Sequence, residues 1–353
     1  MLAQALLFAL GLVALITGAE ALVRGASRLA VSWGISPLVV GLTVVAFGTS
    51  APEMAVSVGA ALAGSSDLAI GNVVGSNIAN VLLILGLSAL IAPLLVHEQI
   101  IRQEVPVMIG ASLVVVAMAL DGTIGRIEAG LLAVLVLAYT TFLVVQSRRA
   151  SPETKDEYAR EIPAAAWDRH WSVQVLLVLG GLGLLVLGAG WLVDAAVAVA
   201  RVLGVSDLVI GLTVVAVGTS MPEIATSLIA ALRGQRDIAV GNVIGSNVFN
   251  LLAVLGAAGL VSAGGLSVPD AARHFDLWVM LAVAFACLPI LMTGREIARW
   301  EGGVFLAYYA AYTAYLILAA QRHEALPAYS SIMLSYAVPL TVITLVVSFM
   351  RRR

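Results

Sequence analysis

Forty residues of this chain occur twice. Gly41–Asn80 reads GLTVVAFGTSAPEMAVSVGAALAGSSDLAIGNVVGSNIAN, and Gly211–Asn250 reads GLTVVAVGTSMPEIATSLIAALRGQRDIAVGNVIGSNVFN, with 26 identities in 40 positions at an offset of 170. A fold that houses the first copy must house the second equivalently, so the chain is expected to consist of two related halves. Each copy sets one glutamate, Glu53 or Glu223, in an otherwise apolar run behind a Gly-Thr-Ser-x-Pro break. A carboxylate at membrane depth is costly and by default marks an ion or substrate site. Paired broken elements in two halves of a membrane protein point to a secondary transporter.

The membrane assignment rests on composition. The 353 residues are 61% hydrophobic and 11% charged, whereas an average soluble domain carries roughly 25% charged residues. About twenty consecutive apolar residues span a bilayer, and this chain holds many such runs. The single cysteine, Cys287, lies in one of them, so no internal disulfide forms and the thiol is expected to be inert packing. No basic cluster is large enough for nucleic acid. The first segment, 2–19, has no basic residue before it and no clear cleavage motif, so it reads as a span and not a signal peptide.

Apolar runs bounded by charged or turn residues give eleven candidate helices, near 2–30, 36–62, 68–95, 103–120, 124–146, 171–199, 207–232, 238–261, 275–293, 297–320 and 330–350. The expected organisation is an all-α polytopic membrane protein. Its first repeat is 1–146, its cytoplasmic linker 147–170 and its second repeat 171–320, followed by an eleventh helix and basic C-terminus over 321–353. Five spans per half is an odd number, so the second half must enter the membrane inverted.

Inversion can be checked against the basic residues, which concentrate on cytoplasmic loops. With the N-terminus outside, Arg24, Arg28, Arg102, Arg148, Arg149, Lys155, Arg160, Arg169, Arg233, Arg236, Arg295, Arg299 and Arg351–Arg353 fall inside, and only Arg126, Arg201, Arg273 and Arg322 outside, a split of 15 to 4. Equivalent positions also exchange charge: Arg24 and Arg28 correspond to Asp194 and Ala198, while Ala63 and Ser66 correspond to Arg233 and Arg236.

In Gly48-Thr49-Ser50-Ala51-Pro52-Glu53, Pro52 lacks an N–H and its ring clashes with the carbonyl four residues back. A helix broken here is expected to present free carbonyls on one side and a positively polarised N-terminus on the other. Bare backbone at that depth survives where it lines a cavity or meets a ligand. Gly218, Thr219, Ser220, Pro222 and Glu223 repeat the pattern. The next helix of each half carries Gly-Asn-Val-x-Gly-Ser-Asn-x-x-Asn, setting Ser76 one turn from Asn80 and Ser246 one turn from Asn250. The two halves together collect carboxylates, hydroxyls, amide oxygens and carbonyls, a hard-oxygen set that suits Ca²⁺ or Na⁺ and disfavours zinc or copper. Plainer readings apply to their neighbours. Gly71, Gly75, Gly241 and Gly245 read as helix packing, and Asp67 and Asp237 as helix starts. Asn72 and Asn242 are open between helix–helix hydrogen bonding and ion contact. His97, His170, His274 and His323 fall in or near loops, and Glu20 and Asp194 near helix ends.

On the motifs GTSAPE with GNVVGSNIAN and GTSMPE with GNVIGSNVFN, the chain resembles the cation/Ca²⁺ exchanger superfamily, and within it the prokaryotic sodium/calcium exchangers. The resemblance implies ten helices packed as two inverted repeats, with four ion sites between the second, third, seventh and eighth. It implies that Glu53 and Glu223 are shared Ca²⁺ ligands. Thr49, Ser50, Thr219 and Ser220, with the carbonyls of Ala46 and Ala216 and with Ser76 and Ser246, would serve flanking Na⁺ sites. Asn80 and Asn250 would complete the centre. Some relatives carry aspartate at one of these last two positions; both are amides here, which leaves a fixed charge of -2 from the two glutamates. The eleventh helix lies outside the ten-helix core.

The expected function is electrogenic Na⁺/Ca²⁺ antiport by alternating access, with the long helices near 2–30 and 171–199 sliding across the core. The transported ions and the lipid bilayer are its partners; no cofactor and no obligatory protein partner is expected. The alternative on the same scaffold is H⁺/Ca²⁺ exchange, because a glutamate can trade a proton for a cation. An enzyme is disfavoured, since the spans offer no nucleophile–base pair. A channel would need a continuous pore.

Overall fold

The structure is a computed structural model and describes residues 2–148, 170–203 and 216–351. Most of the expected linker 147–170 and the leading part of the expected seventh helix, 207–215, lie outside the described residues. So do Arg149, Lys155, Arg160, Arg169, Arg352 and Arg353.

Among the described residues the chain runs through α1 (Leu2–Trp33), α2 (Pro37–Thr49), α3 (Ala51–Leu62), α4 (Ser66–Ile91), α5 (Ile100–Ala119) and α6 (Arg126–Arg148) in its first half. The second half holds α7 (Trp171–Val202), α8 (Ala216–Thr219), α9 (Met221–Leu232), α10 (Arg236–Val261), α11 (Ala272–Met292) and α12 (Arg299–Ala320). A last helix, α13, covers Leu326–Thr344. Among the described residues nine helices are long and apolar enough to cross a membrane, and the bent pair α2–α3 makes a tenth span. The protein is a multi-pass, all-α membrane protein of two inverted repeats with one added helix.

The inversion is visible in how α1 meets α7. Gly11 lies against Gly188, Gly18 against Gly181 and Gly25 against Gln174, so the residue numbers fall along one helix as they rise along the other. A Cβ at Gly11 would lie 2.8 Å from the Gly188 carbonyl oxygen, and one at Gly18 would lie 2.9 Å from that of Gly181. Glycine every seventh residue keeps one face bare, and two such faces let the backbones touch along an antiparallel seam.

Loop pairing gives a second reading of the topology. Leu94–Leu95 (β1) pairs antiparallel with Glu296–Ile297 (β4), and Thr123–Ile124 (β2) with Leu266–Ser267 (β3). Swapping the two repeats turns one ladder into the other. At the β1–β4 end, Glu98 holds Arg102 at 2.6 Å and Arg295 at 3.3 Å. The Ser36 N–H donates to the Ser147 hydroxyl at 2.9 Å, joining the α1–α2 loop to the last turn of α6, which alternate spans place on one face. These ladders differ from expectation. The third helix, expected over 68–95, ends at Ile91, and the tenth, expected from 297, begins at Arg299. A two-residue strand has no periodicity to betray it.

Two buried or half-buried carboxylates recur in matching places. The Tyr139 hydroxyl donates to Glu104 at 2.8 Å, tying α6 to α5, and the Tyr312 hydroxyl donates to Asp276 at 2.9 Å, tying α12 to α11. Glu104 also accepts from Gln99 and Gln103, at 2.9 and 2.7 Å. With three donors the carboxylate is satisfied, and these pairs act as struts. The added helix α13 docks through side chains: the Tyr308 hydroxyl donates to Thr341 at 2.7 Å and the Tyr329 hydroxyl to the Ala311 carbonyl at 2.8 Å.

The halves are not in the same conformation. α1 packs along α9, whereas its counterpart α7 barely touches α3. Pro222 and Thr226 on α9 are buried, while Pro52 and Val56 on α3 are only half-buried. The Glu20–Arg233 ion pair at 2.6 Å and the hydrogen bond from Ser27 to Gln235 at 3.4 Å fasten the covered side.

Candidate functional site

Each repeat breaks its helix at one serine. Ser50 has φ -78° and ψ 7°, and Ser220 has φ -86° and ψ 8°, while the residues on either side are helical. Proline stands in the first turn of α3 and of α9, where its missing N–H leaves no bond unmade. The chain bends by 46° between α2 and α3. The break is therefore a kink and not an unwound stretch, and the expectation of loose carbonyls needs correction at Ala46. Its carbonyl accepts the Ser50 N–H at 3.0 Å, with the Thr49 hydroxyl oxygen 3.4 Å away, leaving one lone-pair direction for anything else. Ala216 stands at the equivalent place of the second repeat, four residues before Ser220.

The kinks put Glu53 and Glu223 in the first turns of α3 and α9, both fully buried. The two repeats interlock through them. The Ser50 hydroxyl donates to Glu223 Oε1 at 3.1 Å, and the Ser220 hydroxyl donates to Glu53 Oε1 at the same 3.1 Å. Ser76 stands beside Glu53, and Thr49 and Ser246 beside Glu223; the two carboxylates are close enough to repel one another. Asn80 donates to the Asn247 amide oxygen at 3.0 Å. Asn80 and Asn250 each open a π-helical turn, at Asn80–Leu85 and Asn250–Val254, an irregularity frequent at functional sites. Of the expected set, Ala46, Thr49, Ser50, Glu53, Ser76, Asn80, Ser220, Glu223, Ser246 and Asn250 are buried, and Thr219 is half-buried.

The residues drawn together leave oxygens over. Glu53 Oε2, Glu223 Oε2, Asn80 Oδ1, Ser246 Oγ and Asn250 Oδ1 are buried and make no hydrogen bond among the described residues. A buried carboxylate oxygen without a partner carries a desolvation cost of several kcal/mol, which a cation offsets. Among the described residues no three or more His, Cys, Asp or Glu side chains gather, so any cation here meets two carboxylates and neutral oxygens. A small cavity of about 90 Å³, lined by Phe47, Ser50, Met54 and Phe249 among others, reaches the site at Ser50 from the α3 side.

Some contributors were not singled out in the sequence. Ser57 and Ser227 accept hydrogen bonds from Asn72 and Asn242, each at 2.9 Å. Both serines are identical between the repeats and lie one turn beyond the glutamates, a spacing that could have exposed them. Asn247 entered only as a motif letter. The packing reading of Gly241 and Gly245 holds, since a Cβ on Gly245 would lie 2.6 Å from the Leu42 carbonyl and one on Gly241 3.1 Å from that of Leu38.

Inverted repeats crossing at two kinked helices, with a buried oxygen-rich centre between them, define a secondary transporter. Comparison with known proteins agrees. The family model described as "Sodium/calcium exchanger protein" matches twice, over residues 3–147 and 173–318. The inner membrane protein YrbG of Escherichia coli is 38% identical over 290 residues, covering 82% of this chain and 89% of its own. The sodium/calcium exchanger MaX1 of Methanosarcina acetivorans is 34% identical over 339 residues, covering 87% and 96%. The solved structure of the sodium-calcium exchanger NCX_Mj, soaked with 2.5 mM Na⁺ and 0.1 mM Ca²⁺, superposes with a TM-score of 0.75 at 31% identity, covering 89% of this chain and 98% of that one. The chain belongs to the sodium/calcium exchanger family, a family of antiporters and not of enzymes.

Proposed function

We propose that the protein exchanges Na⁺ for Ca²⁺ across a prokaryotic inner (plasma) membrane by alternating access, with its N-terminus outside and its C-terminus in the cytoplasm. The observation that carries this reading is the pair of buried, unpartnered Oε2 atoms of Glu53 and Glu223, held toward one centre by each other's repeat. Both glutamates ligate Ca²⁺, whose two charges match theirs. Thr49, Ser50, Thr219 and Ser220, the carbonyls of Ala46 and Ala216, and Ser76 and Ser246 serve the flanking Na⁺ positions, with Asn80 and Asn250 at the centre. Two cations contending for the same oxygens cannot both be held, which makes the cycle an exchange. No cofactor or partner protein is required by this scheme.

The proposed units are 1–146 and 171–320, joined by 147–170 and followed by 321–353. The unequal packing of the repeats supports alternating access: if they exchange conformations, α7 comes to lie on α3, α1 leaves α9, and the site opens to the other face. The charge split between loops supports the orientation.

The test is ⁴⁵Ca²⁺ uptake into Na⁺-loaded vesicles, with Na⁺ then replaced by an impermeant cation. Uptake that needs internal Na⁺ sustains the proposal. Uptake that ignores Na⁺ and follows a proton gradient replaces it with H⁺/Ca²⁺ exchange.

A further inference from the structure

Asn72 and Asn242 sit outside the ring of expected ligands, yet each touches three site elements. The Asn72 Nδ2 donates to the Ser57 hydroxyl at 2.9 Å and to the Glu53 backbone carbonyl at 3.3 Å. Its Oδ1 accepts from the Thr219 hydroxyl, in the opposite repeat, at 3.5 Å. Asn242 does the same with Ser227 at 2.9 Å, the Glu223 carbonyl at 3.4 Å and the Thr49 hydroxyl at 3.1 Å.

The chemistry fixes every polarity in this chain of bonds. A backbone carbonyl can only accept, so each amide must turn its N–H groups toward the glutamate. That leaves Oδ1 facing the threonine, and an amide oxygen can only accept, so the threonine must donate. The Thr49 hydroxyl has one proton, and the Asn242 oxygen at 3.1 Å is a nearer acceptor than the Ala46 carbonyl at 3.4 Å. Once that proton is committed to Asn242, the Thr49 oxygen presents only lone pairs in other directions, the orientation a cation needs. Asparagine is the side chain this geometry demands: aspartate has no N–H for the glutamate turn, alanine has neither function, and serine has a single proton for two acceptors.

We propose that Asn72 and Asn242 are positioning residues that orient the threonine of the opposite repeat as an obligate cation acceptor while fixing the glutamate turn of their own. Each amide thus ties one repeat's glutamate turn, through its backbone carbonyl, to the other repeat's hydroxyl, so ligands from both halves are presented together. The inference rests on the reading of Thr49, Thr219 and the glutamates as ion ligands. Indirect ligand-orienting residues commonly cost about 10- to 100-fold in metal affinity when removed, and that range is expected here.

The experiment is a double-mutant cycle read as half-saturating Na⁺ and maximal rate in Na⁺-driven ⁴⁵Ca²⁺ uptake, with Glu223→Gln as the reference for the underlying reading. Asn242→Ala should raise half-saturating Na⁺ about 10- to 100-fold, as should Thr49→Val, with maximal rate changed far less. Adding Asn242→Ala to Thr49→Val should cost less than about twofold more, because the hydroxyl it orients is gone. If the costs multiply, or if Thr49→Val behaves as wild type, the asparagine does not act through the threonine and the proposal fails. If Glu223→Gln exchanges like wild type, the ligand reading itself is wrong. Should Asn242→Ala not yield folded protein, the mirror cycle with Asn72→Ala and Thr219→Val decides by the same criteria.

Discussion

Ser50 and Glu223 are hydrogen-bonded at 3.1 Å, although they belong to different halves of the chain. The reciprocal bond from Ser220 to Glu53 makes the centre a closed exchange between repeats, in which neither half holds its own carboxylate alone. Among the described residues these two glutamates are the only carboxylates in the centre, so charge neutralisation falls on them. Glu53→Gln or Glu223→Gln is expected to lower Ca²⁺ exchange by at least about 100-fold, the equivalent of about 2.7 kcal/mol, with expression and helicity unchanged. Wild-type ⁴⁵Ca²⁺ flux in either variant would remove that residue from the ligand set.

The inverted topology predicts opposite accessibility for matching loops. With Cys287 first replaced by alanine, a cysteine near Ser66 should react with an impermeant thiol reagent from outside the cell. One near Gln235 should react only after the inside is exposed. Labelling of both from one side would contradict the loop pairings that separate β1–β4 from β2–β3.

Much of this is legible in the sequence. The repeat placed both glutamates, both serines and the terminal asparagines at equivalent depth, and five spans per half required the inversion. The cross-repeat partners were not legible, because no periodicity within one repeat says which residue of the other will face it. Asn72 is open between helix–helix hydrogen bonding and ion contact for that reason, and the bond from Thr219 links it to the other repeat. The Glu104–Tyr139 strut was missed on sequence separation. The matching Asp276–Tyr312 pair was the available signal, but it lies beyond the forty-residue motif where the repeats still align visibly.

The one-sided fastening of α1 predicts a shift in the resting state. Glu20 and Arg233 form an ion pair at 2.6 Å, whereas their repeat counterparts, Gly190 and Ala63, cannot. Both partners are partly exposed, so the pair is worth at most about 1 kcal/mol, about a fivefold change in the balance between the two facings. Glu20→Gln should raise the reactivity of a cysteine placed on the α9 side of the site toward a reagent from the cytoplasm. Charge reversal at both positions should restore it. Unchanged reactivity in Glu20→Gln would show that the pair does not bias the facing.

Protons and Ca²⁺ should contend for the same two carboxylates. Protonation of either one removes half of the charge that balances Ca²⁺, so apparent Ca²⁺ affinity should fall as pH is lowered from about 8 to about 5, a range that approaches the ordinary glutamate value from above. The sign follows from linkage: Ca²⁺ binds the deprotonated pair, and acid withdraws that form. Affinity that stays flat over this range would mean that neither glutamate takes up a proton when the site is empty.

Two carboxylates flanked by amides and hydroxyls fix -2 at the centre, and one Ca²⁺ balances it. If three Na⁺ replace one Ca²⁺, one net positive charge crosses the membrane in the direction of Na⁺. A potential then contributes about 2.3 kcal/mol per 100 mV, roughly a fiftyfold change in the Ca²⁺ gradient that can be held. In Na⁺-loaded vesicles clamped with K⁺ and valinomycin, an interior-positive potential should accelerate ⁴⁵Ca²⁺ uptake, because Na⁺ leaves in excess, and an interior-negative potential should slow it. Uptake indifferent to the clamp would establish two Na⁺ per Ca²⁺, an electroneutral cycle in which the site holds the same charge on both strokes.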